Sequence, residues 1–376
     1  MINVFQPTVG DEELAAIQSV FATSWLGRGQ EVAAFERELA DYFGVDTTTV
    51  LTTTSCTEAM FQVLDLVGVP GGNVVLPTVS FVGAANAIQA NGMTINFCDV
   101  DAKTGNPDLQ NVVEAIDANT VAVLVQHLGG VPCDIAAIAE YCKSRGIILI
   151  EDSAGSIATR VGGRSCGTFG DFGVWSFDAM KMVVGGDGGA IYCRDLEVKG
   201  VLQERLYLGM SAVSGTAQAL VNDRWWEFDV THPSRRSIMN DVSAAMARVQ
   251  LRRLASNVAV RRRNHEVLAQ GLSDLSPGLQ TPDTTPVGFE HSYYFFPILV
   301  ADGRRDALAH HLRNDGIYST FRYFPLHLVG LYGHTGEVFA GAQEFADRML
   351  LLPQHASLSE EDLHRIVTSV HEFFGV

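Results

Sequence analysis

Lys181 stands five residues after Ser176 in the stretch WSFDAMK, just upstream of the glycine-rich run GGDGGA. Further upstream, the apolar run Ile147–Ile150 delivers Glu151 and Asp152 to its C-terminal end. Open α/β sheets bind their ligands at that end of a strand. A carboxylate, a hydroxyl and a primary amine are therefore offered at one edge. Pyridoxal phosphate needs such a set: a lysine for the Schiff base, a carboxylate to keep the pyridine nitrogen protonated, and neutral donors for the phosphate. Taken singly, a lysine is usually a solvated surface charge and an aspartate after a strand a helix cap. Lys181, wedged between Trp175-Ser176-Phe177 and five residues of which four are glycine, lies on neither a polar helix face nor an ordinary charged loop.

Two further segments bear on the same chemistry. Ser55, Cys56 and Thr57 fall where a strand gives way to a helix, so free backbone N–H groups and small side-chain donors converge as a phosphate requires. An ordinary N-cap at Ser55 or Thr57 explains the same residues equally well. Phe81 follows a strand and Pro77. An aromatic there can stack on a planar ring, although most phenylalanines so placed are simply core.

The elements that must position these residues alternate. Strands are predicted at Thr49–Thr53, Asn73–Leu76, Thr94–Cys98, Val121–Val125, Ile147–Glu151, Gly173–Ser176 and Ala190–Cys193, and helices at Glu58–Leu66, Phe81–Ala90, Leu109–Ala115 and Ile135–Arg145. Such alternation is the mark of βαβ units in a parallel sheet. A long helical pattern runs from Asn240 to Leu272, and beyond it the texture changes. Strands at Ser292–Val300 and Ile317–Tyr323, a helix at Arg305–Asp315 stopped by Gly316, and a final helix at Glu360–Phe374 begun by Ser357 or Ser359 form an α+β lobe. The expected division is a large cofactor domain over 1–245 and a smaller C-terminal domain over 246–376.

The chain has 376 residues, 47% hydrophobic and 18% charged, enough for two domains with a large core and too apolar for disorder. Its net charge of −17 disfavours a nonspecific grip on nucleic acid or anionic lipid. No apolar run approaches the ~18 residues of a membrane span. The N-terminus shows no basic region leading into an apolar one, and the six cysteines form no C-x-x-C pair. A cytoplasmic protein with reduced thiols is expected. The eleven histidines show no metal-ligand spacing, so no metal is expected.

In order along the chain, TTSCTEA, LPTVSFVGAANAI, VQHLGGVPCDI, IEDSAGS, WSFDAMK with GGDGGA, MNDVSAAMARVQL and RYFPLHL resemble the DegT/StrS family of pyridoxal-phosphate-dependent sugar aminotransferases. The resemblance covers nearly the whole chain. It implies the aspartate-aminotransferase fold, with a seven-stranded mostly parallel sheet, and a homodimer with active sites at the subunit interface. Position by position, it implies that Lys181 is the Schiff-base lysine, that Asp152 pairs with the pyridine nitrogen, and that Phe81 stacks on the ring. Ser176 and the Ser55-Cys56-Thr57 turn are implied as phosphate binders, and Trp25 and His327 as parts of the sugar-side pocket.

The chain also departs from the family pattern. Gly155 stands where Gln is frequent, and Asp178 where His or Tyr is common. Arg236-Ser237-Ile238-Met239 replaces the N-Y-R-M element, and Arg322 precedes Tyr323 where His is frequent. Arg235 or Arg236 is expected to reach the phosphate across the dimer, Arg28 to meet the diphosphate, and Arg322 with Tyr323 to face the substrate. The activity implied is transfer of an amino group from L-glutamate (or glutamine) to a ketosugar on a nucleotide diphosphate. Amination at C4 of a 4-keto-6-deoxyhexose is the first choice, with C3 and cyclitol amination behind it. That chemistry asks Lys181 for a lowered pKa and Asp152 for a retained charge. A dehydratase of this family would carry His at 181, and a regulatory homologue would not need Lys181, Asp152 and Ser176 together.

Overall fold

The computed structural model describes residues 1–210, 223–224, 226–282 and 288–376. Its centre is a seven-stranded sheet of β1 (Val50–Thr53), β2 (Asn73–Pro77), β3 (Thr94–Cys98), β4 (Thr120–Gln126), β5 (Ile148–Asp152), β8 (Phe172–Ser176) and β9 (Gly189–Cys193), in the order β1-β9-β8-β5-β4-β2-β3. β9 is antiparallel to both neighbours and the other strands run parallel. All seven predicted strands form, each within a residue of the expected bounds at either end. The reason is physical: parallel strands covered on both faces need apolar residues at nearly every position, a strong signal in one sequence.

Alternate residues of these strands serve opposite layers. Val74, Leu76, Leu124, Ile150 and Ile191 pack with helices Cys56–Val67 and Val82–Ala90. Val75, Val123, Val125 and Leu149 pack with Leu109–Ala115 and Ile135–Arg145. At the β1 edge, Val50, Trp175, Ala190 and Tyr192 meet Gln30–Phe43 and Asp241–Arg252. Trp175 stacks on Phe43 at 4.1 Å between centroids.

The C-terminal lobe pairs β10 (Leu279–Gln280), β12 (Phe296–Val300) and β13 (Met349–Leu352) in an antiparallel sheet. Its core joins Leu268, Leu308, Leu312, Leu363, Ile366 and Val370, and it also takes in Ile2 from the start of the chain. A small ribbon of β6 (Arg160–Val161), β7 (Arg164–Ser165) and β11 (Phe289–Glu290) links the lobes. Among the described residues, no helix is long and apolar enough to cross a membrane. All six cysteines are buried and unbridged.

Three expectations need correction. The helical pattern 240–272 is two helices, Asp241–Arg252 and Leu254–Gly271, meeting at Arg253, whose side chain bonds Glu13 and the Thr8 carbonyl. The expected boundary at 245 falls within the first of them, whose Ala244, Ala247 and Leu251 share a core cluster with Val50, Trp175 and Ala190. Ile317–Tyr323 is not a strand but makes single bridges, Ile2 to Ile317 and Thr320 to Leu351. Ser292–Phe295 likewise leaves the predicted strand, which begins at Phe296, and its Tyr294 and Phe295 line a cavity.

Gly189 opens β9 where the backbone passes the Ser55–Cys56 turn. A Cβ there would lie 2.5 Å from Cys56 N and 2.5 Å from Ser55 C. Gly189→Ala is expected to cost about 1–3 kcal/mol of stability through this overpacking and to weaken binding at the turn; a denaturation midpoint equal to that of the parent would contradict it.

Candidate active site

Lys181 is set by a loop that closes on its own backbone. Phe177 N–H donates to Gly188 O (2.9 Å), Gly185 N–H to Phe177 O (2.8 Å) and Lys181 N–H to Asp178 O (2.9 Å). The loop is anchored by Phe177, fully buried against Phe35 at 5.0 Å, a burial worth about 1.5–3 kcal/mol. β5 ends beside it in two carboxylates that part company. Glu151 accepts N–H bonds from Gly167 (2.8 Å) and Gly170 (2.6 Å), and its Oε2 lies 3.0 Å from Nε2 of the buried His127. Asp152 enters the cavity and accepts the Ala154 N–H at 2.9 Å. Side chains alternate across a strand, so only one of the pair reaches the ligand face.

The cavity holds about 360 Å³, within the size range of small-molecule sites. Lys181, Asp152, Ser55, Cys56, Thr57, Phe81, Ser176, Arg322 and Tyr323 all line it. Ser55 caps helix Cys56–Val67, its Oγ accepting the Glu58 N–H at 3.1 Å, so the capping and anion-binding readings of this turn coexist. Phe81 caps the next helix and meets the Tyr323 ring at 5.6 Å. Arg322 lies over Phe5 (4.7 Å) and contacts Met180 Sδ (3.7 Å).

Electrostatics within the cavity differ from the sequence expectation. Burial opposes the Lys181 ammonium, yet the phenols of Tyr294 and Tyr323, the Asp152 carboxylate and Cys56 together raise its pKa above the ordinary lysine value, where a lowered one was expected. Burial pushes Asp152 up, opposed by the Ala154 N–H, Lys181 and His127. Each charge is thus costly to bury and each offsets the other.

Four expected residues are not brought to this cavity. Arg28 is held bidentate by Glu36 (2.9 and 2.8 Å) and reaches Thr52 Oγ1 (3.3 Å), so its charge is already balanced. Trp25 is exposed, its Nε1 bonded to Arg28 O at 3.0 Å. Arg236 lies over the Tyr207 ring at 5.7 Å. His327 is buried, its Nδ1 2.5 Å from Thr78 Oγ1 and its ring against Phe339, so it braces the turn Leu326–Leu328. Arg235, the alternative to Arg236, pairs with Glu58 at 3.3 Å.

Sequence reasoning missed Tyr294. Its ring occupies the space above Gly155, where a Cβ would lie 2.7 Å from Tyr294 Cδ1. Its hydroxyl is buried with no hydrogen-bond partner among the described residues. Gly155 was the available signal: a glycine where relatives carry a long side chain calls for another residue to fill the volume.

The profile of the DegT/DnrJ/EryC1/StrS aminotransferase family matches residues 7–371. The chain belongs to that family. It is 44% identical over 369 residues to a dTDP-4-dehydro-2,3,6-trideoxy-D-glucose 4-aminotransferase of Saccharopolyspora spinosa, covering 97% of this chain and 95% of the relative. A dTDP-3-amino-3,4,6-trideoxy-alpha-D-glucose transaminase of Micromonospora megalomicea subsp. nigra is 32% identical over 371 residues, covering 96% and 94%. The crystal structure of the aminotransferase TlmJ from Streptoalloteichus hindustanus is similar with a TM-score of 0.95 at 48% identity, over 100% of this chain and 99% of that one.

The raised pKa of Asp152 carries a sign. The folded state binds its proton more tightly than the unfolded chain does, so the stabilisation it gives when protonated is lost as pH rises through its folded value. Asp152→Asn cannot take up this proton, so without added ligand the parent is expected to gain urea resistance relative to the variant as pH falls from 7 toward 3.8, and urea midpoints of both across that range test it.

Proposed function

We propose that the protein is a pyridoxal-phosphate-dependent aminotransferase that moves an amino group from L-glutamate to C4 of a nucleotide-linked 4-keto-6-deoxy sugar. The observation that carries this reading is that a half-buried amine, a buried carboxylate and a hydroxyl-bearing helix N-terminus share one cavity of fitting size. The donor set matches the cofactor: Asp152 for the pyridine nitrogen, Lys181 for the aldehyde, Ser55, Thr57 and Ser176 for the phosphate, and Phe81 for the ring face. When bound, the cofactor supplies an electron sink through which an amino group leaves one carbon and is delivered to another. The 44% identical 4-aminotransferase supports the choice of carbon. The 32% identical transaminase, whose name places the amine at C3, keeps C3 amination as the second reading.

The chain's own groups divide the work. Lys181 removes the proton from Cα of the amino acid and returns one to the acceptor carbon of the sugar. It needs its neutral form for this, and a protein that holds Asp152 against a second cation no longer holds the Lys181 ammonium so firmly. Asp152 keeps its charge because that charge is answered on one side by the Ala154 N–H. The contacts of Arg322 are with Phe5, Tyr323 and Met180 Sδ, none of them a carboxylate, which leaves its guanidinium to take an acidic substrate. In a homodimer, Arg236 is left free of this cavity to serve the phosphate of the partner's site. Glutamine is the alternative donor and a cyclitol the alternative acceptor. An inactive regulatory role is disfavoured by the intact Lys181, Asp152 and Ser176.

Lys181→Ala is expected to abolish the visible absorption that pyridoxal phosphate gives the protein and to lower turnover by at least ~10³-fold; native turnover in that variant would refute the role. Incubation with glutamate and a panel of 3-keto and 4-keto nucleotide sugars, with NMR of the products, distinguishes the two carbons. Arg322→Ala is expected to raise a substrate KM about 10–100-fold with a smaller change in kcat, as loss of a charged hydrogen bond predicts.

A further inference from the structure

Tyr294 carries a hydroxyl that no described residue of this chain engages. The side chain is 1% exposed and its ring is stacked on Phe295 (4.7 Å) and Phe5 (5.4 Å). Lys181 Nζ lies 5.1 Å from the ring centroid, and both residues line the cavity. A buried hydroxyl without a partner is costly, and such groups in native proteins call for an explanation, a ligand among them.

Strand order says which part of a ligand this hydroxyl meets. The ends of β1 and β8 carry Ser55–Thr57 and Ser176, β5 carries Asp152, and β4 leads into Gln126–Gly129. Phe295 N–H donates to Gly129 O (3.1 Å), and Tyr294 covers Gly155, so Tyr294 sits on the β4 side of Asp152. The hydroxyl turn sits on the other side. In pyridoxal phosphate the aldehyde carbon lies opposite the ring nitrogen, flanked by the carbon of the phosphate arm and the carbon of the 3-oxygen. A ring with its nitrogen at Asp152, its aldehyde at Lys181 and its phosphate at Ser55 turns the 3-oxygen toward β4.

We propose that the Tyr294 hydroxyl donates a hydrogen bond to the 3-oxygen of bound pyridoxal phosphate, making from the 292–295 segment the contact that Gly155 lacks the side chain to make. The inference rests on the reading of this cavity as the pyridoxal phosphate site. A donor at that oxygen withdraws electron density and lowers the proton affinity of the Lys181 nitrogen beside it. Tyr294 and a larger residue at 155 also exclude one another, since a Cβ at 155 already meets the ring at 2.7 and 3.2 Å.

The test is the pH titration of the absorption of protein loaded with pyridoxal phosphate, alongside its affinity for that cofactor. Tyr294→Phe keeps the ring packing and removes only the hydroxyl. Its titration midpoint is expected to rise by about one pH unit, with cofactor affinity about tenfold weaker. Gly155→Ala keeps the hydroxyl but displaces the ring, and its midpoint is expected to move the same way. A Tyr294→Phe curve superimposed on that of the parent overturns the inference while leaving the function intact; should that variant not fold, an unmoved Gly155→Ala curve overturns it instead. A parent protein that develops no pH-dependent band with the cofactor overturns both.

Discussion

A half-buried amine and a buried carboxylate share one cavity, and each makes the other's charge tolerable. Burial works against the ionised forms of both Lys181 and Asp152, and the charge of each helps to hold that of the other. The buried Asp152 carboxylate would be costly to keep ionised alone, because an isolated buried ion shifts its pKa and neutralises. The surroundings follow from this need. The glycine loop 185–189 and the anchoring Phe177 hold the amine, the end of β5 holds the acid, and aromatic rings close the space between them.

The sheet supplies the frame that makes such a pair possible. Parallel strands end at one edge, and loops leaving β1, β4, β5 and β8 deliver hydroxyls, amides, the acid and the lysine loop to a single volume. Helix Cys56–Val67 adds its N-terminal N–H groups at the same edge. The C-terminal lobe contributes Arg322 and Tyr323, and the segment between β11 and β12 contributes Tyr294, so the cavity needs both lobes. In a chain of net charge −17, a guanidinium at the cavity wall, that of Arg322, makes the local field differ from the overall one.

Charge balance at single residues depends on partners that the local sequence does not show. The lowered amine is expected with the cationic cofactor in place as well as from burial, and in the protein alone two phenols, a thiol and a carboxylate surround it and raise it. Arg28 was expected to meet phosphate, and Glu36 balances it. His327 was expected in a sugar pocket, and it braces Thr78 inside the protein. In each case the deciding partner lies on a different element, out of reach of local sequence.

Local sequence determined the strands, because residues buried on both sheet faces must be apolar along their whole length, and it determined which turn carries hydroxyls and which loop carries the lysine. It also marked Gly155 as a position without a side chain. Only the folded chain decided that Asp152 and not Glu151 enters the cavity, that the helix breaks at Arg253, and that Tyr294, far along the sequence, fills the place beside Gly155. Periodicity is a property of neighbours in the chain, whereas charge balance and volume are settled by whatever packs alongside, and those neighbours are chosen by the tertiary structure.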